Sequence, residues 1–197
     1  MKIMNHIYNK EFWDKVALNN PYDGILSGYD KKRFWKEKVG LPQELLDELD
    51  KGMIFLDLGC GIGRMAKWVS PLVKEYYGID FSTRMIKKAK KIFKDNRKVH
   101  FSVNNGVDLE LFEDNKFDVI YVCLLFQHMQ KEHTLNYIKE IYRVLKKEGV
   151  FYANNIPREE MYVGGLKEDE LDKVMKPFKI LNKQISKYYF FIKCQKY

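Results

Sequence analysis

The stretch Phe55-Leu56-Asp57-Leu58-Gly59-Cys60-Gly61-Ile62-Gly63-Arg64 constrains this chain more than any other part of it. A short apolar run, of the kind a strand buried on both faces carries, meets three glycines at alternate positions, and a helical stretch follows. Glycines so placed let the backbone turn sharply and let a ligand approach it, because a Cβ would occupy that space. The spacing is GxGxG. It departs from the GxGxxG that sets a pyrophosphate on a helix N-terminus, and it lacks the Lys-Ser/Thr ending of a P-loop. Phosphate is therefore not the indicated ligand. Asp57 adds a carboxylate at the strand's carboxyl end, where a cationic or hydrogen-bond-donating group is favoured. A second carboxylate, Asp80, closes the next apolar run, where an acid accepts both hydroxyls of a ribose in nucleotide-binding α/β folds.

The rest of the chain repeats the same alternation. Apolar runs at Met53 to Leu58, Glu75 to Ile79, Val99 to Val103 and Phe117 to Leu124 are separated by amphipathic stretches. That pattern predicts a parallel sheet with covered faces. Helices are predicted over Arg64 to Val73 and over Ser82 to Phe93, where Met85, Ile86, Ala89 and Phe93 share one stripe and Ser82 is the N-cap. A further helix is predicted over Lys131 to Leu145, ending near Gly149, with a strand over Val150 to Asn154. After Pro157 come a polar loop with Gly164 and Gly165, a short helix near Glu168 to Met175, and two adjacent strands, Phe178 to Ser186 and Tyr188 to Cys194. Strands joined that closely pair antiparallel. The first fifty residues read as two or three short helices, around Lys10 to Leu18, Lys31 to Lys38 and Gln43 to Asp50. They are rich in rings: Tyr8, Phe12, Trp13, Tyr22, Tyr29, Phe34 and Trp35. The expectation is one domain, with residues 1–50 as a helical cap and 51–197 as the binding core.

Composition excludes several classes. With 46% apolar and 31% charged residues the chain can bury a core, so it is not a disordered polyelectrolyte. The longest apolar run, Val119 to Phe126, is far short of the roughly 20 residues that span a bilayer. The N-terminus offers no apolar signal region. Cys60, Cys123 and Cys194 form no CxxC pair, and an odd count closes no disulfide framework, which fits a reducing cytoplasm. His128 and His133 are five apart and have neither HExxH nor CxxC nearby, so no metal site is expected. The net charge of +8 would favour an anionic partner if it were clustered. It falls mostly on Lys of helical stretches such as Lys87, Lys88, Lys90, Lys91 and Lys94, where a solvated face is the plain reading.

Taken together, strand, Asp-x-GxGxG, helix, strand and terminal Asp resemble the class I S-adenosylmethionine-dependent methyltransferases, and most closely their small-molecule type with a DLGCGxG loop. The likeness extends through Gly78-Ile79-Asp80-Phe81-Ser82, Phe117-Asp118-Val119-Ile120 and Ile141-Tyr142-Arg143-Val144-Leu145-Lys146-Lys147-Glu148-Gly149. Where relatives have Pro-Gly in the last of these, this chain has Lys147-Glu148. Where many relatives have an Asp for the adenine amine, it has Asn104-Asn105-Gly106, and an Asn oxygen can accept the same bond.

The resemblance implies a doubly wound, Rossmann-like sheet of seven mostly parallel strands, order 3-2-1-4-5-7-6, with strand 7 antiparallel. It implies S-adenosyl-L-methionine as cofactor. Gly59, Cys60, Gly61 and Gly63 would accommodate the methionine portion, with Asp57 near its ammonium. Asp80 would take the ribose hydroxyls and Phe81 would pack on the adenine, whose other edge Asn105, Gly106 and Val107 would border. Cys123 and Leu124 would lie beneath the sulfonium.

Methyl transfer asks the protein chiefly to align the groups and exclude water. A base matters only where the acceptor sheds a proton. His128, following the fourth strand, is the candidate, against a packing or capping role. The N-terminal rings either close over the cofactor, with Trp13, Tyr22 or Tyr29 lining the acceptor pocket, or serve as ordinary core. The expected function is methylation of O, N or C in a small-molecule acceptor in the cytoplasm, with no membrane partner; the sequence leaves the oligomeric state open. An RNA or DNA methyltransferase is the alternative, disfavoured because Val122-Cys123-Leu124-Leu125 is not an Asn/Asp-Pro-Pro-aromatic motif. A non-catalytic cofactor-binding subunit is another.

Overall fold

The computed structural model describes residues 9–158 and 165–197. Tyr8, Gly164 and most of the polar loop after Pro157 lie outside the described residues. The chain divides into two compact units, Asn9–Val103 and Asn104–Tyr197, so the helices before residue 51 share a unit with the first three strands.

The first unit opens with four short helices, α1 (Lys10–Leu18), α2 (Pro21–Ile25), α3 (Lys31–Lys36) and α4 (Gln43–Glu48). Side chains start two of them: Asn9 accepts from the Phe12 amide, and Asp30 from that of Arg33. The rings of this segment pack on each other. Phe34 is fully buried, with Tyr22 and Trp35 each 5.3 Å away, edge to face. The helices at α3 and α4 stop two residues earlier than their polar patterns predict, and α2 is additional.

Strands β1 (Ile54–Leu58), β2 (Glu75–Asp80) and β3 (Val99–Val103) pair in parallel, β1 with β2 and β2 with β3. In β1 four of five residues are buried, as a strand covered on both faces requires. In β3 only Phe101 is buried, as befits a sheet edge. The helix expected over Arg64 to Val73 is only α5 (Ala66–Val69). Tight i to i+3 bonds, Gly63 N–H to the Cys60 carbonyl and Ala66 N–H to that of Gly63, precede it, and Pro71, without an N–H, follows. Helix α6 (Thr83–Ile92) starts as predicted: the Ser82 hydroxyl accepts from the Met85 amide at 3.1 Å. Met85, Ile86 and Ala89 are buried beneath it, while Lys87, Lys90 and Lys91 are exposed.

The second unit contains β4 (Phe117–Cys123), α7 (Lys131–Val144), β5 (Leu145–Pro157), α8 (Glu168–Met175), β6 (Phe178–Ile185) and β7 (Tyr189–Lys196). The sequence places β5 at Val150, but it begins at Leu145, whose ψ of 136° ends α7 directly. Glu148, at the place where the resemblance implies the glycine of Pro-Gly, takes φ +62°, a left-handed conformation that costs a non-glycine residue about 1 kcal/mol. Strands β4 and β5 are parallel, and β7 is antiparallel to both β5 and β6. The seven strands take the order β3-β2-β1-β4-β5-β7-β6, the order and the reversed seventh strand that the resemblance implies.

Candidate cofactor site

In the first unit the turn after β1 is built from backbone. Gly59, Gly61 and Gly63 have φ of +80°, +54° and +82°, values L side chains rarely adopt. The amides of Gly59 and Cys60 both reach the Ile79 carbonyl, at 2.8 and 3.0 Å, anchoring the turn to the end of β2. The three glycines are not equivalent. A Cβ on Gly63 would lie 2.7 Å from Phe101 Cζ and 3.0 Å from Phe93 Cε2, so this glycine serves helix-to-strand packing. A Cβ on Gly61 would meet the side chain of Ile25, with Cδ1 at 3.1 Å. Cys60 turns its thiol inward, where Gly78 leaves room for it; burial raises that thiol well above its ordinary pKa and leaves it inert.

Asp80 sits where the sequence puts it, at the end of β2, with both carboxylate oxygens anchored. One accepts the Gly61 amide at 2.9 Å and the other the Ser82 amide at 2.8 Å. Burial pushes its pKa up to about 6, against the pull of those two amides. Each oxygen keeps a second acceptor direction. Phe81, next in the chain, is partly exposed.

Asp57 is a different kind of acid. It is 3% exposed, and its carboxylate accepts a hydrogen bond from the Tyr76 hydroxyl. Burial raises its pKa to about 7, with the Tyr76 bond and the Arg64 charge opposing. Period-two reading alone does not single out Tyr76, yet the register contains the signal. Gly78 pairs with Asp57 and Tyr76 lies two residues earlier, so the tyrosine reaches along β2 past a position without a side chain. Arg64 is also unmarked by the motif. Nearly buried, it donates to the Val39 carbonyl at 2.6 Å and lies 5.7 Å over the Phe34 ring. Asp14 of α1 is the third residue without a sequence signal. It accepts from the Ser82 hydroxyl at 2.6 Å and the Arg84 amide at 3.1 Å, and its charge helps raise the pKa of Asp80.

In the second unit the predicted residues fall in two places. After Val103 the chain folds on its own side chains: Asn105 accepts from the amides of Val107 and Asp108, and Asn104 accepts from that of Gly106. Asn104 is buried and donates to the Asp108 carbonyl, with the Tyr137 hydroxyl 2.9 Å from its amide nitrogen. Asn105 is exposed. The second place is the end of β4, where Cys123 is partly buried and Leu124 takes φ +58°. A leucine held there is strained backbone of the kind that collects at functional sites. One turn of 3₁₀ helix follows, Phe126–His128, and His128 Nε2 lies 3.1 Å from Gln127 Nε2. Among the described residues no group of three or more His, Cys, Asp or Glu could hold a metal ion, and no helix is long and apolar enough to cross a membrane.

Residues 56–153 match the family model described as a methyltransferase domain. Among curated proteins, a carboxy-S-adenosyl-L-methionine synthase of Helicobacter pylori is 29% identical over 97% of this chain and 74% of its own length. A demethylmenaquinone methyltransferase of Anoxybacillus flavithermus is 33% identical over 67% of this chain and 59% of its own. A solved S-adenosylmethionine-dependent methyltransferase of Aquifex aeolicus shares the fold, with a TM-score of 0.62 at 18% identity over 96% of this chain and 100% of that one. The chain belongs to the class I S-adenosylmethionine-dependent methyltransferases.

This methyltransferase's cofactor is S-adenosylmethionine, and the first unit fits it on two counts. The Asp80 carboxylate is fixed by two amides and still has acceptor capacity for two ribose hydroxyls. Gly59 and Gly61 carry no side chain of their own, and what stands against Gly61 is the flexible end of Ile25.

Proposed function

We propose that this enzyme methylates an O, N or C atom of a small-molecule acceptor. The observation that carries the reading is the Asp80 carboxylate held between the Gly61 and Ser82 amides beside the glycine turn. Two relatives whose names denote work on small molecules, a carboxy-S-adenosyl-L-methionine synthase and a demethylmenaquinone methyltransferase, support the acceptor class. When bound, the cofactor supplies a methyl group already activated by a positively charged sulfur. The chain's part is positional. Asp80 binds the ribose, the turn from Gly59 to Gly63 takes the methionine portion, and Phe81 packs on the adenine. The roles that the resemblance implies for Asp57, Asn105, Gly106, Val107, Cys123 and Leu124 belong to the same proposal. His128 takes the proton from an acceptor that must lose one. Cys60, Cys123 and Cys194 form no disulfide, which supports a reducing compartment, the cytoplasm.

Calorimetry tests the core of this reading. S-adenosylmethionine and its demethylated product are expected to bind with dissociation constants of micromolar order, and Asp80→Ala to weaken both strongly. A folded sample giving no heat with either ligand refutes it. His128→Ala is expected to lower turnover while leaving cofactor affinity unchanged, and equal turnover would reduce His128 to scaffolding.

A further inference from the structure

The first unit carries a groove that the transfer chemistry does not use. Lys31, Lys32, Trp35 and Lys36 of α3 line it together with Lys67 and Trp68 of α5, and it has a volume of about 580 Å³. The groove is shallow and open to solvent, a shape that suits an extended strand laid along it better than an enclosed small molecule. Trp35 is held by neighbouring rings, and Trp68 already carries two cations. Trp35 is set edge-on against Phe34 and Phe93, at 5.3 and 6.3 Å. The Lys67 and Lys38 ammonium groups stand 4.4 and 5.2 Å from the centre of the Trp68 ring, and Lys67 also donates to the Trp35 carbonyl.

Folding does not account for this composition. Helix α3 has six residues, four of them cationic and none acidic, and Lys32 and Lys36 form a like-charge pair one turn apart, which destabilises an exposed helix. The acids that flank it are engaged elsewhere. Asp30 caps the helix on the Arg33 amide at 2.8 Å, while Glu37 holds Arg33 Nε at 2.9 Å and the Tyr29 hydroxyl at 2.6 Å. The lining of the groove contains no carboxylate. On α6 the lysines stand on a solvated face above a buried apolar stripe; here they surround two indoles.

We propose that this groove binds single-stranded RNA, its phosphodiesters on Lys31, Lys32, Lys36 and Lys67 and its bases against Trp35 and Trp68. A compact anion or an acidic peptide would use the ammonium groups and leave the rings idle. A single strand supplies negative charge and flat π faces at a regular spacing, which is the combination that cationic, aromatic-floored grooves recognise. None of the six lining residues is among those assigned to the cofactor.

Tryptophan fluorescence of the full chain, titrated with an oligouridylate of about twelve nucleotides, tests the proposal. Saturable quenching is expected, with log K falling against log salt at a slope of about −3, the value for four lysine contacts to a single strand. The triple variant Lys31→Gln/Lys32→Gln/Lys36→Gln should reduce that slope to about −0.7. Trp68→Leu should weaken binding roughly fivefold or more and leave the slope unchanged. Absence of quenching, or an unaltered slope in the triple variant, overturns the proposal. So does poly-aspartate competing as well as RNA, which would assign the groove to an acidic protein segment. Cofactor calorimetry on the triple variant should match that of the parent chain, showing that it is folded. Loss of cofactor heat from the parent chain itself, with RNA quenching retained, would count against the proposed transferase chemistry and not against this groove.

Discussion

The turn after β1 and the loop after β3 were both expected to hold the cofactor, and they are built by opposite means. The first is shaped by missing side chains: positive φ at Gly59, Gly61 and Gly63, and amides anchored on the Ile79 carbonyl. The second is shaped by side chains that are present, with Asn104 and Asn105 folding residues 104–108 through their own amide groups. A structure made by absence leaves a mark in sequence, because only glycine meets its steric demand. A structure made by polar side chains does not, because Asn serves equally in many loops.

The sharpest way to break this contrast is Gly63→Ala. The new methyl would meet Phe101 and Phe93 at 2.7 and 3.0 Å from a backbone at φ +82°. Overpacking and left-handed strain together predict a loss of about 3–4 kcal/mol, read as a large drop in the thermal midpoint. A midpoint within a degree or two of the parent would mean that the third glycine is not a packing device.

Next in size is a pH effect from the buried acids. The folded state holds a proton on Asp57 up to about pH 7 and on Asp80 up to about pH 6, while the unfolded chain releases both near pH 4. The folded form therefore binds more protons across that window, and stability falls as pH rises from about 4 to about 7. Asp57→Asn keeps an acceptor for the Tyr76 hydroxyl and removes the charge. Compared with the parent, it should gain up to about 4 kcal/mol at pH 8 relative to pH 4, measured by urea denaturation at both values. Parallel pH profiles for the two proteins would show that Asp57 is ionised without penalty.

For the second region the matching test is Asn104→Ala. It deprives the Gly106 amide and the Asp108 carbonyl of their partner and leaves the buried Tyr137 hydroxyl short of one. A cost of about 2 kcal/mol is expected, with faster amide exchange confined to residues 104–108. Unchanged exchange there would show that the loop is held by something other than its asparagines.

What could be read in advance follows the same division. Strands β1 to β4 announce themselves because each is a short apolar run, and α6 because Ser82 and the Met85, Ile86 and Ala89 stripe mark its start and its inner face. The expected helix outruns α5 because Met65, Val69 and Val73, all buried, recur every fourth residue and continue the apolar spacing past both of its ends. The early start of β5 was hidden because Leu145 is equally apolar as the last residue of a helix or the first of a strand. Tyr76, Arg64 and Asp14 were illegible for a common reason. Each acts through a partner distant in sequence, and only the strand register, which sets Gly78 opposite Asp57, connects Tyr76 with its partner.

Asp14 yields the smallest effect and the most specific one. Its carboxylate joins α1 to the start of α6 through the Ser82 hydroxyl and the Arg84 amide, and its charge contributes to the raised pKa of Asp80. Asp14→Asn retains an acceptor for both bonds but removes the charge assistance, which should cost about 1 kcal/mol or less. Its clearer signature is in binding. If, as proposed, ribose hydroxyls donate to the ionised Asp80, cofactor affinity should weaken as pH falls through about 6, approaching tenfold per unit well below that value. With the Asp14 charge gone, the Asp80 carboxyl should ionise at lower pH, and the acid limb of the affinity profile should move down with it. Calorimetry from pH 5 to pH 8 on both proteins measures that displacement. A limb that stays in place while stability drops would leave α1 with a purely mechanical hold on α6, and coincident profiles with equal stability would remove Asp14 from the account of the site altogether.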